Sequence, residues 1–316
     1  MNRILIFMLR TTLLPSILSL LALAAAHAET APPLRVVALH TVLTEIAREV
    51  GGPAANVTGL VAPGVDPHTF DPTPRDLATA LEADLVLATG LLLEGYLERL
   101  AAQPDARGRL VRVGEALPVI LSLAKEAHAL HSNTRELHTP AGETDPHWWH
   151  SIDNVLFATD LIRVEFTRLR PSDAAAFAAR AQAYQQRLFA LKSWAAHAVA
   201  TLAPARRHLV TTHDAFGYLA RDWGFTVHAI GGLSTDTEPE PQHLAALVQL
   251  VRRLGPKAVF AESSASPKLA QTLAAETGAR IGGTLHADGL GPAGSGAESY
   301  ETMMRHNLGT LTAALR

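Results

Sequence analysis

The sequence predicts an α/β protein of two similar lobes, each a mainly parallel four-stranded sheet flanked by helices, joined by one long rigid helix. Two observations support this fold class. Short apolar runs of strand length alternate with segments of helical periodicity, which is typical of parallel sheets covered by helices. The alternation occurs twice, and a long segment without glycine or proline separates the two occurrences.

The first half of the chain contains four candidate strands. They are residues 34–39, 56–61, 85–89 and 109–113. A helix begins within 73-TPRDLATALEA-83, where Thr73 is the N-cap, Pro74 occupies the first turn and Asp76 stands at the capping-box position. This half is therefore expected to form a parallel sheet whose helices lie in the connections.

The second half repeats the scheme after the long segment. Its candidate strands are residues 208–212, 226–230, 258–261 and 280–285. The separating segment, 172–202, is rich in Ala, Gln and Leu, and as a helix it would span about 45 Å. We expect an N-terminal lobe over 29–170, a linking helix over 171–203 and a C-terminal lobe over 204–316.

The N-terminus carries the pattern of a secretory signal. Arg3 and Arg10 lead into an apolar run that closes on Ala26-His27-Ala28, a small-residue cleavage site. The apolar run is short and is broken by proline and serine, which disfavours a retained membrane helix. The pattern predicts that residues 1–28 are removed and that the mature chain begins at Glu29.

Charge and cysteine content narrow the function classes. The net charge is −3 at pH 7, which favours neither nucleic acid nor an anionic membrane surface as a partner. The chain has no cysteine, so it has no disulfides, no thiolate zinc site and no lipidated cysteine. We expect a monomer that diffuses freely in a periplasm without a lipid anchor.

Metal-competent side chains recur where strands end. Ligands of open parallel sheets bind beyond the carboxyl ends of the strands. His68 follows the second strand, His213 ends a strand, Asp288 lies three residues past another, and His147 precedes the long helix. Three imidazoles and one carboxylate suit tetrahedral zinc. The chain has 15 histidines, however, so their spacing alone leaves metal binding open.

Aspartates accompany these histidines in the sequence. A neutral histidine offers a lone pair to a metal when an acceptor holds its other ring nitrogen. Asp66, Asp145 and Asp214 each lie within two residues of one of the three histidines and are candidates for that acceptor.

Six segments of the chain resemble those of a known family. In order they are VDPHTFDPTPRDL, ADLVLATGLLLEGYL, DPHWWHSIDNV, VTTHDAFGYLARDWGF, ESSASPKLAQTLAAETGA and DGLGPAGSGAESYETMMRHN. They are similar to the landmark segments of ZnuA/TroA-like solute-binding proteins, which deliver zinc or manganese to ABC importers. The resemblance covers nearly the whole mature chain. It implies two α/β lobes joined by one rigid helix, with the metal in the cleft.

The resemblance also implies a ligand set. The family's first ligand falls on His68, in a segment where Asp71 replaces the family's glutamate without changing the ligand. The second falls on His147. The third falls on His213, where manganese-type members tend to carry glutamate, and the last falls on Asp288.

The function expected from these residues is a periplasmic zinc receptor that delivers the ion to the membrane permease of an ABC importer. A periplasmic metallochaperone is a further candidate partner. Delivery of manganese or iron is the alternative within the family, and His213 argues against it because harder ions prefer oxygen. A zinc hydrolase is disfavoured because four protein ligands leave no open position for water. No catalytic residue is expected.

Several residues near the expected site have open roles. His150 is either a plain polar residue before a helix or a metal contact, and His40 ends the first strand, where it could line the cleft. We interpret Trp148 and Trp149 as packing residues that wall the site. Glu262 ends a strand near the cleft, and the resemblance favours a supporting or hinge role over a ligand role.

A polar segment over 125–145 carries His128, His131 and His138 where zinc-type family members have a His-rich loop. It is either a plain solvated loop or a weak metal-gathering loop. The sequence leaves these two interpretations open.

Overall fold

Four strands in the first half form one parallel sheet in the computed structural model, which describes residues 32–104, 108–118, 144–236 and 241–316. They are β1 (Leu34–Ala38), β2 (Ala55–Gly59), β3 (Leu85–Ala88) and β4 (Arg109–Arg112). Their spatial order is β2-β1-β3-β4, and each neighbouring pair is parallel. The predicted strands match these bounds within two residues.

The strands of the second half form two parallel pairs, where one four-stranded sheet was predicted. They are β5 (His208–Thr211), β6 (Thr226–Ala229), β7 (Ala258–Glu262) and β8 (Arg280–Leu285). Backbone hydrogen bonds join β5 to β6 and β7 to β8. β5 and β7 lie in contact, but at their carboxyl ends the Glu262 side chain accepts the backbone N–H groups of Thr212 and His213. The Glu262 side chain thus accepts backbone N–H groups that would bond to a neighbouring strand if the sheet were continuous.

Helices connect and cover these strands, which confirms the predicted α/β fold class. They are α1 (Thr41–Gly51), α2 (Pro74–Glu82), α3 (Leu97–Ala101), α4 (Ile152–Leu169), α5 (Ala174–Ala200), α6 (Gly217–Trp223), α7 (Pro241–Leu254), α8 (Lys268–Thr277) and α9 (Tyr300–Leu315). A short 3-10 turn, Trp148–His150, precedes α4.

Helix α5 is the predicted long helix. It has 27 residues and spans about 40 Å. Its buried side chains recur every three or four residues and form one face: Phe177, Ala181, Tyr184, Leu188, Leu191, Ala195 and Val199. Because α5 contacts α1 and α4 before it and α9 after it, one rigid element supports both halves. Leu34–Arg316 forms one compact unit, and the lobe boundaries at 170 and 203 stay predictions.

Some predictions concern residues beyond those described. The signal segment, residues 1–28, and the loop histidines His128, His131 and His138 lie outside the described residues. Among the residues that are described, no helix is both long enough and apolar enough to cross a membrane.

The first turn of α2 has the predicted capping box. The Asp76 backbone N–H donates to Thr73 Oγ1 over 3.3 Å, and the Thr73 backbone N–H donates to Asp76 Oδ2 over 2.9 Å. Thr73→Ala removes the first bond and should lower the free energy of unfolding by about 1 kcal/mol, measured by urea denaturation. Thr79→Ala within the same helix is the control, because alanine suits a helix interior. Equal losses in the two variants would contradict a capping role.

Candidate metal centre

The four residues predicted as metal ligands lie together. His68 follows β2, His213 follows β5, Asp288 follows β8, and His147 immediately precedes the 3-10 turn before α4. Each offers one nitrogen or oxygen atom, and these four atoms lie within 4.8 Å of one another. The carboxyl ends of strands from both halves therefore meet at one cluster, as the sheet topology predicts.

The cluster is centred on one carboxylate oxygen. Asp288 Oδ1 lies 3.2 Å from His213 Nε2, 3.4 Å from His68 Nε2 and 3.5 Å from His147 Nε2. The Nε2 atoms of His68 and His147 are 3.1 Å apart. All four side chains are at most 4% exposed. Three ring nitrogens and one carboxylate oxygen thus face one small buried space that could hold a cation.

Asp145 fixes the ring of His147. Asp145 Oδ1 accepts hydrogen bonds from the His147 backbone N–H and from Nδ1, both over 2.8 Å. Because Nδ1 bonds to a carboxylate, which only accepts, Nδ1 carries a hydrogen and Nε2 is the atom with a lone pair when the ring is neutral. Burial lowers the pKa of His147, but the Asp145 and Asp288 carboxylates outweigh burial, and the pKa is raised overall. The predicted partnership of Asp145 with His147 is confirmed.

Glu262 fixes the ring of His213, as Asp145 fixes that of His147. Its Oε2 contacts His213 Nδ1, while its Oε1 accepts the backbone N–H groups of Thr212 over 2.7 Å and His213 over 3.0 Å. The prediction of Asp214 as ring partner is wrong, because packing brings β7 against β5 and places Glu262 there instead. Burial lowers the pKa of His213, but Glu262 and Asp288 raise it well above its ordinary value.

Asp66 holds the loop of His68 and not its ring. Asp66 Oδ1 accepts the His68 backbone N–H over 2.9 Å, and Oδ2 accepts the Thr235 hydroxyl over 2.5 Å. The second bond joins a loop of the first half to a loop of the second half. Thr235 carries no sequence motif that marks it for this contact.

Asp288 is held through its backbone and through its second oxygen. The Ser264 hydroxyl donates to Asp288 Oδ2, a contact that the sequence did not reveal. His40 Nδ1 accepts the Val42 backbone N–H, so His40 Nε2 carries the hydrogen that it donates to the Asp288 carbonyl over 3.2 Å. Burial lowers the pKa of His40 to about 4, so the ring is neutral at neutral pH. His40 supports the site and lies outside the four-residue cluster.

The histidines around Asp288 keep its carboxylate ionised. Burial raises the pKa of its carboxyl group, but the neighbouring rings of His213, His147 and His68 outweigh burial and hold the pKa well below its ordinary value. The carboxylate therefore stays ionised and available to a cation.

His150 and the two tryptophans form the wall behind the cluster. His150 Nε2 donates to the Ala287 carbonyl over 2.8 Å, and Trp149 Nε1 donates to the same oxygen over 2.9 Å. Burial lowers the pKa of His150 to about 3. Trp148 and Trp149 are fully buried, in agreement with their interpretation as packing residues. His150 holds the backbone beside Asp288 and is absent from the cluster.

Comparison with known proteins identifies a family. Residues 36–314 match the family model described as "ZnuA: Zinc-uptake complex component A periplasmic". The chain is 35% identical over 291 residues to the manganese-binding lipoprotein MntA of Bacillus subtilis (strain 168), covering 90% of each chain. It is 30% identical over 299 residues to the iron-binding protein YfeA of Yersinia pestis, covering 94% of this chain and 91% of that protein.

A solved structure supports the same family. The chain is 31% identical over 285 residues to the zinc-binding protein TroA of Treponema pallidum (strain Nichols), covering 89% of this chain and 88% of TroA. The structure of the periplasmic zinc-binding protein TroA matches with a TM-score of 0.79, covering 90% of this chain and 99% of that chain. The relatives of this chain and its fold are those of substrate-binding transport proteins, so the chain is not an enzyme. The chain belongs to the ZnuA family of metal-binding solute-binding proteins of ABC importers.

Proposed function

We propose that this protein is a periplasmic zinc receptor, which captures the ion with His68, His147, His213 and Asp288 and delivers it to the permease of an ABC importer. The observation that carries the proposal is the spacing of the four donor atoms. A tetrahedral ion with bonds of about 2.0–2.2 Å has its ligands about 3.3–3.6 Å apart. Four of the six separations between donor atoms are 3.1–3.5 Å, and all six lie within 4.8 Å.

The donor types favour zinc over harder ions. Three imidazole nitrogens suit zinc, whereas manganese prefers six ligands that are mostly oxygen. Glu262 and Asp145 each bind the Nδ1 atom of one ring, so Nε2 is the nitrogen left for a metal when the ring is neutral. Burial of all four side chains excludes the water that a larger coordination shell would need.

Manganese or iron delivery is the second candidate. The relatives described above are named for manganese, iron and zinc, so sequence identity alone does not choose among the three ions. The nitrogen donor at His213 is what favours zinc.

Export and partners complete the proposal. The mature chain begins at Glu29 in the periplasm, acts as a monomer and receives zinc either directly or from a metallochaperone. The Bacillus subtilis relative is named a lipoprotein, and the absence of an anchor in this chain stays a prediction.

The proposed function is tested on protein stripped of metal by a chelator. Competition titrations should give a smaller Kd for zinc than for manganese or iron(II). Zinc at a hundredfold excess over its Kd should add about 2.7 kcal/mol to the free energy of unfolding, measured in urea. Tighter binding of manganese would assign the protein to the second candidate, and failure to bind any of the three ions would overturn both.

Zinc affinity should depend on pH. A histidine must be neutral to bind metal, so protons compete with zinc. The nearby carboxylates raise the pKa values of His147 and His213, so competition should begin above the ordinary histidine pKa and strengthen as pH falls. Below the pKa, each protonated ring should weaken binding by about tenfold per pH unit. Calorimetric titration between pH 8 and pH 5.5 measures the slope, and a flat affinity would contradict a three-histidine site.

A further inference from the structure

We propose that Ser264 is a specificity-determining residue that limits Asp288 to a metal bond through one oxygen and so favours zinc over manganese. The inference rests on the proposed function, because it assumes that the cluster holds the transported ion. It concerns the number of bonds that Asp288 makes, and not whether Asp288 is a ligand.

The two oxygens of Asp288 have different surroundings. Oδ1 lies within 3.5 Å of the Nε2 atoms of all three clustered histidines. Oδ2 accepts the hydroxyl hydrogen of Ser264 instead. The Asp288 side chain is 1% exposed, so water cannot replace Ser264 without opening the site. One oxygen thus faces the ion and the other is committed to the protein.

Hydrogen bonds hold the backbone on both sides of the Asp288 carboxylate, so the contact of Ser264 with Oδ2 starts from a fixed main chain. His40 donates to the Asp288 carbonyl over 3.2 Å. On its other side, the preceding carbonyl, that of Ala287, accepts hydrogen bonds from Trp149 and His150. Three buried side chains therefore fix the main chain that carries the carboxylate.

Ser264 itself lies in a turn that is fixed to the rest of the site. The turn follows β7, whose last residue, Glu262, holds the His213 ring. The Ser263 backbone N–H donates to the Leu285 carbonyl at the end of β8 over 2.9 Å. One turn thus sets the positions of two of the four donor groups.

The number of oxygens that Asp288 offers decides which ion fits. With one oxygen, the three histidines and Asp288 provide four donors, which zinc accepts as a tetrahedron. With both oxygens they provide five, which is closer to the larger, oxygen-rich shell that manganese prefers. A hydroxyl that donates to Oδ2 occupies one of its lone pairs and lowers its availability to a cation.

The experiment compares three variants with the unmodified protein. Ser264→Ala removes the hydroxyl, Ser264→Thr keeps a hydroxyl, and Ser263→Ala is the matched control, since the Ser263 hydroxyl contacts His286 and not Asp288. Competition titration gives the ratio of zinc to manganese affinity. The visible absorption of bound Co²⁺ reports coordination number, because its intensity falls as four-coordinate cobalt becomes five-coordinate.

Ser264→Ala should lower the zinc-to-manganese affinity ratio by about tenfold and reduce the cobalt absorption intensity. Ser264→Thr should restore both readouts, and Ser263→Ala should change neither. An unchanged ratio and spectrum in Ser264→Ala would overturn the inference. Equal losses of zinc and manganese affinity with an unchanged cobalt spectrum would also overturn it, because they would mean that Ser264 only supports the fold.

Failure of the proposed function has a different signature. If the unmodified protein binds manganese more tightly than zinc, the zinc assignment fails. A lower ratio and a weaker cobalt absorption in Ser264→Ala would then still support the role of Ser264. If the unmodified protein binds none of zinc, manganese and Co²⁺, the cluster is not a metal site and both proposals fail.

Discussion

His147→Ala should weaken zinc binding more than a hundredfold. Sites with four protein ligands bind zinc with about 10–16 kcal/mol, so one ligand contributes about 3 kcal/mol, or more than a hundredfold in Kd. The His147 ring is fully buried, so no solvent-exposed group can take its place. The loss also leaves the buried Asp145 carboxylate without its bond to Nδ1.

Calorimetric titration of chelator-treated protein measures this loss. His197→Ala is the matched control, because this histidine is exposed on α5 and its Nδ1 bonds to the Ser193 carbonyl of the same helix. Urea unfolding of the metal-free variants separates a lost ligand from a lost fold. A His147→Ala protein that folds normally and retains its zinc affinity would remove His147 from the site.

His213→Glu, made together with Glu262→Gln, should bring the zinc and manganese affinities closer without reversing their order. Glutamate replaces a nitrogen donor with a harder, charged oxygen donor that manganese accepts. The single variant His213→Glu would place a second carboxylate against Glu262, which is buried and contacts this position. Glu262→Gln removes that repulsion, since an amide keeps an oxygen for the backbone N–H groups of Thr212 and His213.

The single and double variants should therefore differ. His213→Glu alone should lose stability in the metal-free state because two buried like charges lie together. The double variant should recover that stability, lose roughly tenfold or more in zinc affinity, and gain in manganese affinity. Zinc should remain ahead because the Irving–Williams order places zinc above manganese at most sites. Competition titrations on Glu262→Gln alone give the reference ratio of zinc to manganese affinity. If the double variant has the same ratio, residue 213 does not set the preference for zinc over manganese.

The sequence predicted the elements and the four clustered residues with little error. Strands and helices are read from the periodicity of apolar residues, which is a local property, and the capping box of α2 lies within four residues. The four residues of the cluster, His68, His147, His213 and Asp288, follow from motifs at strand ends and from a family resemblance. The bond of Asp145 to the His147 ring was also predictable, because the two residues are only two positions apart in the sequence.

The partners of the site residues were decided by tertiary structure. Glu262 is 49 residues from His213, and the sequence suggested the adjacent Asp214 instead. Ser264 is 24 residues from Asp288, and Thr235 is 169 residues from Asp66. No local pattern marks such pairs, because they arise when separate strand ends are packed against each other.

The order of the amino acids is therefore sufficient to predict a parallel α/β chain with a long helix and with three histidines and an aspartate placed for a metal. The folded chain, in contrast, was needed to show that His40 and His150 bind the backbone carbonyls of Asp288 and Ala287 and lie outside the cluster. It was also needed to show that the Glu262 side chain of β7 accepts the backbone N–H groups that follow β5. These cases share one cause: a ring nitrogen or carboxylate can bond to any partner within about 3 Å, and long-range packing determines which partner is there.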